Sequence, residues 1–167
     1  MNASLAELNA RAPVLATAEF LRCCGAHRWA EGMAAARPFA TEADLFAGAE
    51  RIWNGLAAED WLEAFAAHPR IGGTANSAWS RAEQAGVEGA GSDVQDELAR
   101  LNVEYEARFG HVFLICATGR SAAEMLAELR RRLHHPPAEE LRLAAAEQAK
   151  ITRLRLEKLL TTPEGRA

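Results

Sequence analysis

The sequence predicts an all-α fold, a single-domain bundle of about seven to nine helices with one buried extended segment. Three observations carry this. Alanine and leucine dominate and β-branched residues are scarce, a composition that favours helix over strand. Apolar positions recur at intervals of three and four along nearly the whole chain, the spacing of one helix face. The only strand-like run is Val112-Phe113-Leu114-Ile115-Cys116-Ala117. With no second strand to pair with, it is expected to be buried and extended instead. The 167 residues fit one domain, 1–167, without internal repeat or low-complexity tract.

Each element follows from its own residues. Between Leu5 and Ala36 the series Leu5, Leu8, Val14, Leu15, Phe20, Leu21, Trp29 and Met33 is interrupted by Pro13 and Gly25, which predicts two or three short helices. Arg37-Pro38-Phe39 breaks the pattern. Thr41 with Asp44 three residues on resembles a capping box, so a helix starts at Glu42. Leu45, Ala49, Ile52, Trp53 and Leu56 mark its buried stripe, and Gly55 with Glu59-Asp60 separates it from a helix carrying Trp61, Leu62, Phe65 and Ala66. Pro69 pushes His68 out of helical geometry, so that helix stops at His68.

After Gly73 and a polar stretch from Thr74 to Ser77, Ser80 to Gly86 reads as a short helix closed by glycine. Gly86 to Gly91 contains a G-x-G, but no strand precedes it and the P-loop lysine is missing, so it reads as a flexible connection. Ser92 with Gln95 reads as a second capping box, opening a helix through Val94, Leu98, Leu101, Tyr105 and Phe109 that ends at Gly110. Ser121 and Glu124 cap the next, lined by Met125, Leu126, Leu129 and Leu133. Arg130, Arg131 and Arg132 gather at its negative end as charge compensation. His134-His135-Pro136-Pro137 stops it. A long amphipathic helix then runs from about Ala138 to Leu160, with Leu141, Ala145, Gln148, Ile151, Leu154 and Leu159 near one face. Residues 161–167 read as a frayed tail.

Composition narrows the function. A formal charge of −4 from interspersed acids and bases suggests neither a nucleic-acid footprint nor a polybasic membrane patch, so small solutes are the expected partners. No apolar run approaches the roughly 20 residues that span a bilayer. Glu7 and Glu19 sit where a signal peptide would be apolar, and the terminal Glu-Gly-Arg-Ala is no S-K-L signal, which together predict a cytoplasmic protein. Cys23, Cys24 and Cys116 form no C-x-x-C pair and read as reduced small hydrophobes. The five histidines form no H-x-x-x-H or H-E-x-x-H pair, and adjacent His134 and His135 cannot share a helix face, so no metal is expected. There is no G-x-S-x-G and no cysteine beside a histidine signature, so nucleophilic serine or cysteine chemistry has no support.

What remains centres on Ala67-His68-Pro69-Arg70-Ile71-Gly72-Gly73. Free carbonyls at a helix end can hold an imidazole and favour its protonated form, so His68 is either a helix cap or a proton-transfer residue. Ser80, Glu83 and Gln84, spaced i, i+3, i+4, face one way on a single turn. The glycine-bounded segment after Gly110 can present backbone donors. Together these suit acid–base catalysis on a small polar molecule.

Four linked motifs then carry a resemblance. Ala67-His68-Pro69-Arg70-Ile71-Gly72, Ser80-x-x-Glu83-Gln84-x-Gly86, Asn102-x-x-Tyr105-x-x-Arg108-Phe109-Gly110-His111-x-Phe113-x-x-Cys116-Ala117-x-Gly119-Arg120-Ser121, and Lys150-Ile151-x-x-Leu154-Arg155-Leu156 span about two-thirds of the chain. In order and spacing they resemble the OHCU decarboxylase family, named for 2-oxo-4-hydroxy-4-carboxy-5-ureidoimidazoline, whose decarboxylation in uric acid degradation yields (S)-allantoin. The resemblance implies an all-helical homodimer without metal or organic cofactor, acting after urate oxidase and hydroxyisourate hydrolase. It implies His68 as the catalytic histidine and Glu83 as the catalytic carboxylate. Pro69, Ser80 and Gln84 would line the pocket, and Arg155 would help hold the substrate. Backbone groups from Phe113 through Ile115, Cys116 and Ala117 would contact the heterocycle. Some members carry arginine directly after the Cys-Ala pair; here that position is Thr118, with Arg120 two residues later and placed with the substrate-binding set. That departure keeps a second reading, a non-catalytic helical module binding a purine-derived ligand or a partner protein. A third is an acid–base enzyme for another ureido or imidazoline acid.

Overall fold

The computed structural model describes residues 3–73 and 77–161. Among them are nine helices: α1 (Ala3–Ala10), α2 (Pro13–Cys23), α3 (His27–Ala35), α4 (Glu42–Asn54), α5 (Ala58–Ala66), α6 (Ala78–Glu83), α7 (Ser92–Phe109), α8 (Ala122–Arg132) and α9 (Pro137–Thr161). The described residues contain no strand, and 112–117 is extended without a sheet partner. The fold is all-α, as composition and periodicity predict. Residues 74–76 of the polar stretch and the tail after Thr161 lie outside the described residues.

The chain forms two compact units, Met1–Ala64 with Ala149–Ala167, and Phe65–Gln148. In the first, α2 packs on α3 and α3 on α4 around buried Leu5, Phe20, Trp29, Met33, Leu45 and Trp53. Trp29 meets Phe20 edge-on at 5.9 Å and donates its indole N–H to the Ala49 carbonyl at 3.1 Å. The predicted Thr41 capping box is present, with Thr41 and Asp44 satisfying each other's backbone N–H groups. Arg37 gathers carbonyls that the end of α1 leaves free, those of Leu8 at 2.7 Å and Arg11 at 2.8 Å.

In the second unit α7 packs on α8. Ile71, Leu98, Leu101, Tyr105, Phe113, Ile115, Met125 and Leu129 belong to one apolar cluster. α7 ends at Gly110, whose φ of 77° is the left-handed conformation a helix C-terminus favours and a β-carbon disfavours. Ser121 and Glu124 form the predicted capping box of α8. The predicted box at Ser92 does not form. Gly91 is the N-cap of α7, and the Gln95 carboxamide reaches back to the carbonyls of Val87 and Ala90 instead. A local hydrogen bond to the preceding turn has outcompeted the cap.

Candidate active site

α5 ends at Ala66, where Pro69 forbids another turn, and His68 donates its backbone N–H to the Phe65 carbonyl at 3.1 Å. Its ring is half-buried, with Nε2 2.7 Å from Oε1 of Gln148, a fully buried side chain on α9. A carboxamide oxygen there makes Nε2 the protonated nitrogen and fixes the ring's orientation. The following loop is anchored at three further points. The Ile71 side chain enters the core and its carbonyl accepts from buried Asn102 at 3.0 Å. Gly72 N–H donates to Gln84 Oε1 at 3.0 Å. Arg70 forms a two-pronged pair with Glu106 at 2.7 and 2.6 Å.

α6 begins at Ala78, two residues before the predicted Ser80 start, because Ser77 is the N-cap and accepts the Ser80 N–H at 3.0 Å. The Ser80 hydroxyl is buried and accepts from Ser77 Oγ at 2.9 Å. Glu83 is the last helical residue, half-buried, and Gln84 is the C-cap, its side chain turned onto Gly72. So of the three polar residues expected on one turn, Ser80 joins the cap and Gln84 the His68 loop. Two residues on, Gly86 lies against Arg120: a β-carbon there would come within 2.0 Å of the Arg120 carbonyl, so no larger residue fits.

Phe113, Leu114, Ile115 and Ala117 are buried and Cys116 half-buried. Among the described residues, none supplies an acceptor for the backbone N–H of Phe113, Leu114, Ile115 or Ala117. Buried donors of this kind are rare in folded proteins and mark a place where an external acceptor fits. Just beyond, Thr118 is exposed, and Arg120 reaches Glu147, a buried carboxylate on α9, at 4.0 Å. Glu147 and Gln148 are the residues sequence reasoning missed as part of the site. Their signal was Gln148 standing within the apolar stripe of a long helix, where a polar side chain needs a buried partner, with Glu147 next to it.

A family model described as OHCU decarboxylase matches residues 9–157. The chain belongs to the OHCU decarboxylase family. It is 40% identical over 151 residues to the uric acid degradation bifunctional protein TTL of Arabidopsis thaliana, covering 86% of this chain and 47% of that protein. To the 2-oxo-4-hydroxy-4-carboxy-5-ureidoimidazoline decarboxylase of Amia calva it is 34% identical, covering 76% of this chain and 77% of the other. A crystal structure of OHCU decarboxylase in the presence of (S)-allantoin superposes with a TM-score of 0.77 at 41% identity, covering 86% of this chain and 98% of that one.

Of the residues that family resemblance singles out, the second unit holds His68, Pro69, Ser80, Glu83, Gln84, Phe113, Ile115, Cys116, Ala117 and Arg120. Arg155 belongs to the first unit, where it is buried and donates to the Arg22 carbonyl at 3.4 Å. None of the three cysteines forms a disulfide among the described residues. Burial pushes the Cys23 thiol up to about 12 and the Cys24 thiol up to about 11, so both stay protonated and behave as apolar side chains. Among the described residues no group of three or more His, Cys, Asp or Glu could hold a metal ion, and no helix is long and apolar enough to cross a membrane.

Proposed function

We propose that the chain is a carboxy-lyase converting OHCU to (S)-allantoin in uric acid degradation, with His68 as acid–base residue and Glu83 as its carboxylate partner. The observation that carries this is the 2.7 Å bond from His68 to buried Gln148. A ring locked by a buried partner can deliver a proton to one face only, which is what a single product enantiomer requires. In the reaction the bond between the quaternary ring carbon and its carboxylate breaks and carbon dioxide leaves. The electron pair stays in the ring as an enolate-like system, which then takes a proton. The amides of Phe113, Leu114, Ile115 and Ala117, for which no acceptor exists among the described residues, suit the developing negative charge, since donors fixed in place are the strongest electrostatic aid a protein offers. Glu83 polarises the hydroxyl and ureido groups. Pro69, Ser80 and Gln84 line the pocket, and Arg120 supplies positive charge for the substrate.

The same reading makes the protein a cytoplasmic homodimer that takes its unstable substrate from urate oxidase and hydroxyisourate hydrolase. Its membership in a family with a bifunctional uric acid degradation relative supports that pathway. The test is to generate the substrate freshly from urate with those two enzymes and follow circular dichroism. Rapid appearance of one allantoin enantiomer is expected. Unchanged slow formation of racemate would overturn the reading.

A further inference from the structure

Arg132 was expected from sequence to compensate the end of α8 from the surface. Instead it is fully buried, as are Glu140 and Tyr105. Arg132 Nε donates to Glu140 Oε1 at 2.7 Å. The same carboxylate oxygen accepts from the Tyr105 hydroxyl at 2.5 Å, and the other oxygen faces His135 Nδ1 at 3.0 Å. Burial, then the adjacent Glu140 carboxylate, push the Tyr105 phenol far above its ordinary range, so it stays a donor. The remaining arm of Arg132 leaves this cluster. Nη1 donates to the Leu114 carbonyl at 2.7 Å, and the guanidinium covers the Phe113 ring at 4.8 Å.

A desolvated ion pair is a poor way to stabilise a core, since apolar side chains of similar volume commonly do as well or better. What apolar side chains cannot supply is direction. The peptide unit is planar and trans, so its C=O and N–H point opposite ways. Holding the Leu114 carbonyl toward Arg132 therefore aims the Ile115 N–H, in the same plane, to the other side of the chain. That N–H is one of the amides without an acceptor among the described residues. The segment has no sheet neighbour to hold it, and Arg132 does what a ladder of hydrogen bonds would do in a strand.

We infer that Arg132, oriented by Glu140 and Tyr105, is a positioning residue that aims the Ile115 amide, and with it the Phe113–Ala117 segment, at the substrate. This rests on the proposed decarboxylase reading. The experiment compares wild type with Arg132→Lys, which keeps the charge but lacks the rigid planar guanidinium that fixes Glu140 and Leu114 relative to each other. It reads steady-state kinetics with fresh OHCU, product handedness, and backbone hydrogen exchange without ligand.

A displaced donor costs about tenfold to a hundredfold in rate. The expected result is a loss of that size in kcat/KM, a less pure enantiomer, and faster exchange confined to 113–117 while α7 and α8 keep their protection. Unchanged kinetics and exchange would overturn the inference, and so would exchange raised throughout the unit, the mark of a merely structural pair. If Arg132→Lys does not fold, Tyr105→Phe, which removes one hydroxyl, is judged by the same criteria with a smaller loss. If wild type itself fails to turn over, the functional reading falls, while exchange alone still decides whether Arg132 holds the segment.

Discussion

Of the eight polar or charged side chains buried among the described residues, Thr152 and Arg155 lie in the first unit and Ser80, Asn102, Arg132, Glu140, Glu147 and Gln148 in the second. The backbone divides the same way. The four glycines with left-handed φ, Gly72, Gly89, Gly110 and Gly119, all belong to the second unit. The first unit is regular helices closed over an apolar core, with polar contacts mostly at helix ends. The second spends burial on groups that are costly to desolvate unless each finds a partner. Apolar packing gives stability without direction, whereas a site needs donors and acceptors held at fixed angles. The contrast therefore separates a stabilising region from one that also carries chemistry.

That separation can be broken by experiment. The largest effect is expected at His68: His68→Asn should lower kcat/KM by about 10²–10⁴, the usual worth of general acid–base catalysis, with the melting temperature near wild type. Near-normal turnover of one enantiomer would remove His68 from the site. In the first unit the expectation reverses. Trp29→Ala should destabilise by ~3–5 kcal/mol in denaturant titration, while protein still folded at low temperature keeps its kcat. A lower kcat in that folded fraction would show that the first unit does more than stabilise.

The smallest effect concerns the surface charge of the second unit. A hydrogen bond from Arg100 holds the Glu97 carboxyl at about 2, against an ordinary 4.5. Its contribution is fully present above 4.5 and is lost as pH falls toward 2. Glu97→Gln should melt slightly below wild type at neutral pH, and the gap should close across that acid window. A gap independent of pH would mean that Glu97 acts through packing.

Much of this was legible locally. The helices, the Thr41 and Ser121 boxes, the Gly110 stop and the unpaired extended run depend on residues a few positions apart, and they formed as spacing predicts. The misreadings also have local causes. Ser92 with Gln95 has the right letters for a cap, but Gln95 had a nearer acceptor in the preceding turn. The helix expected from Ser80 starts at Ala78 because Ser77 caps it first.

The sequence by itself determined where most helices begin and end, which faces are apolar, and that His68 stands at a helix end, because these follow from short-range sterics and hydrogen bonding. Only the tertiary structure decided that Gln148, 80 residues away, holds the His68 ring, and that Arg132 turns inward to Glu140 and the Leu114 carbonyl. A glutamine on an apolar face or an arginine at a helix end shows no partner until packing supplies one. Such pairings are made by packing, which no local pattern encodes.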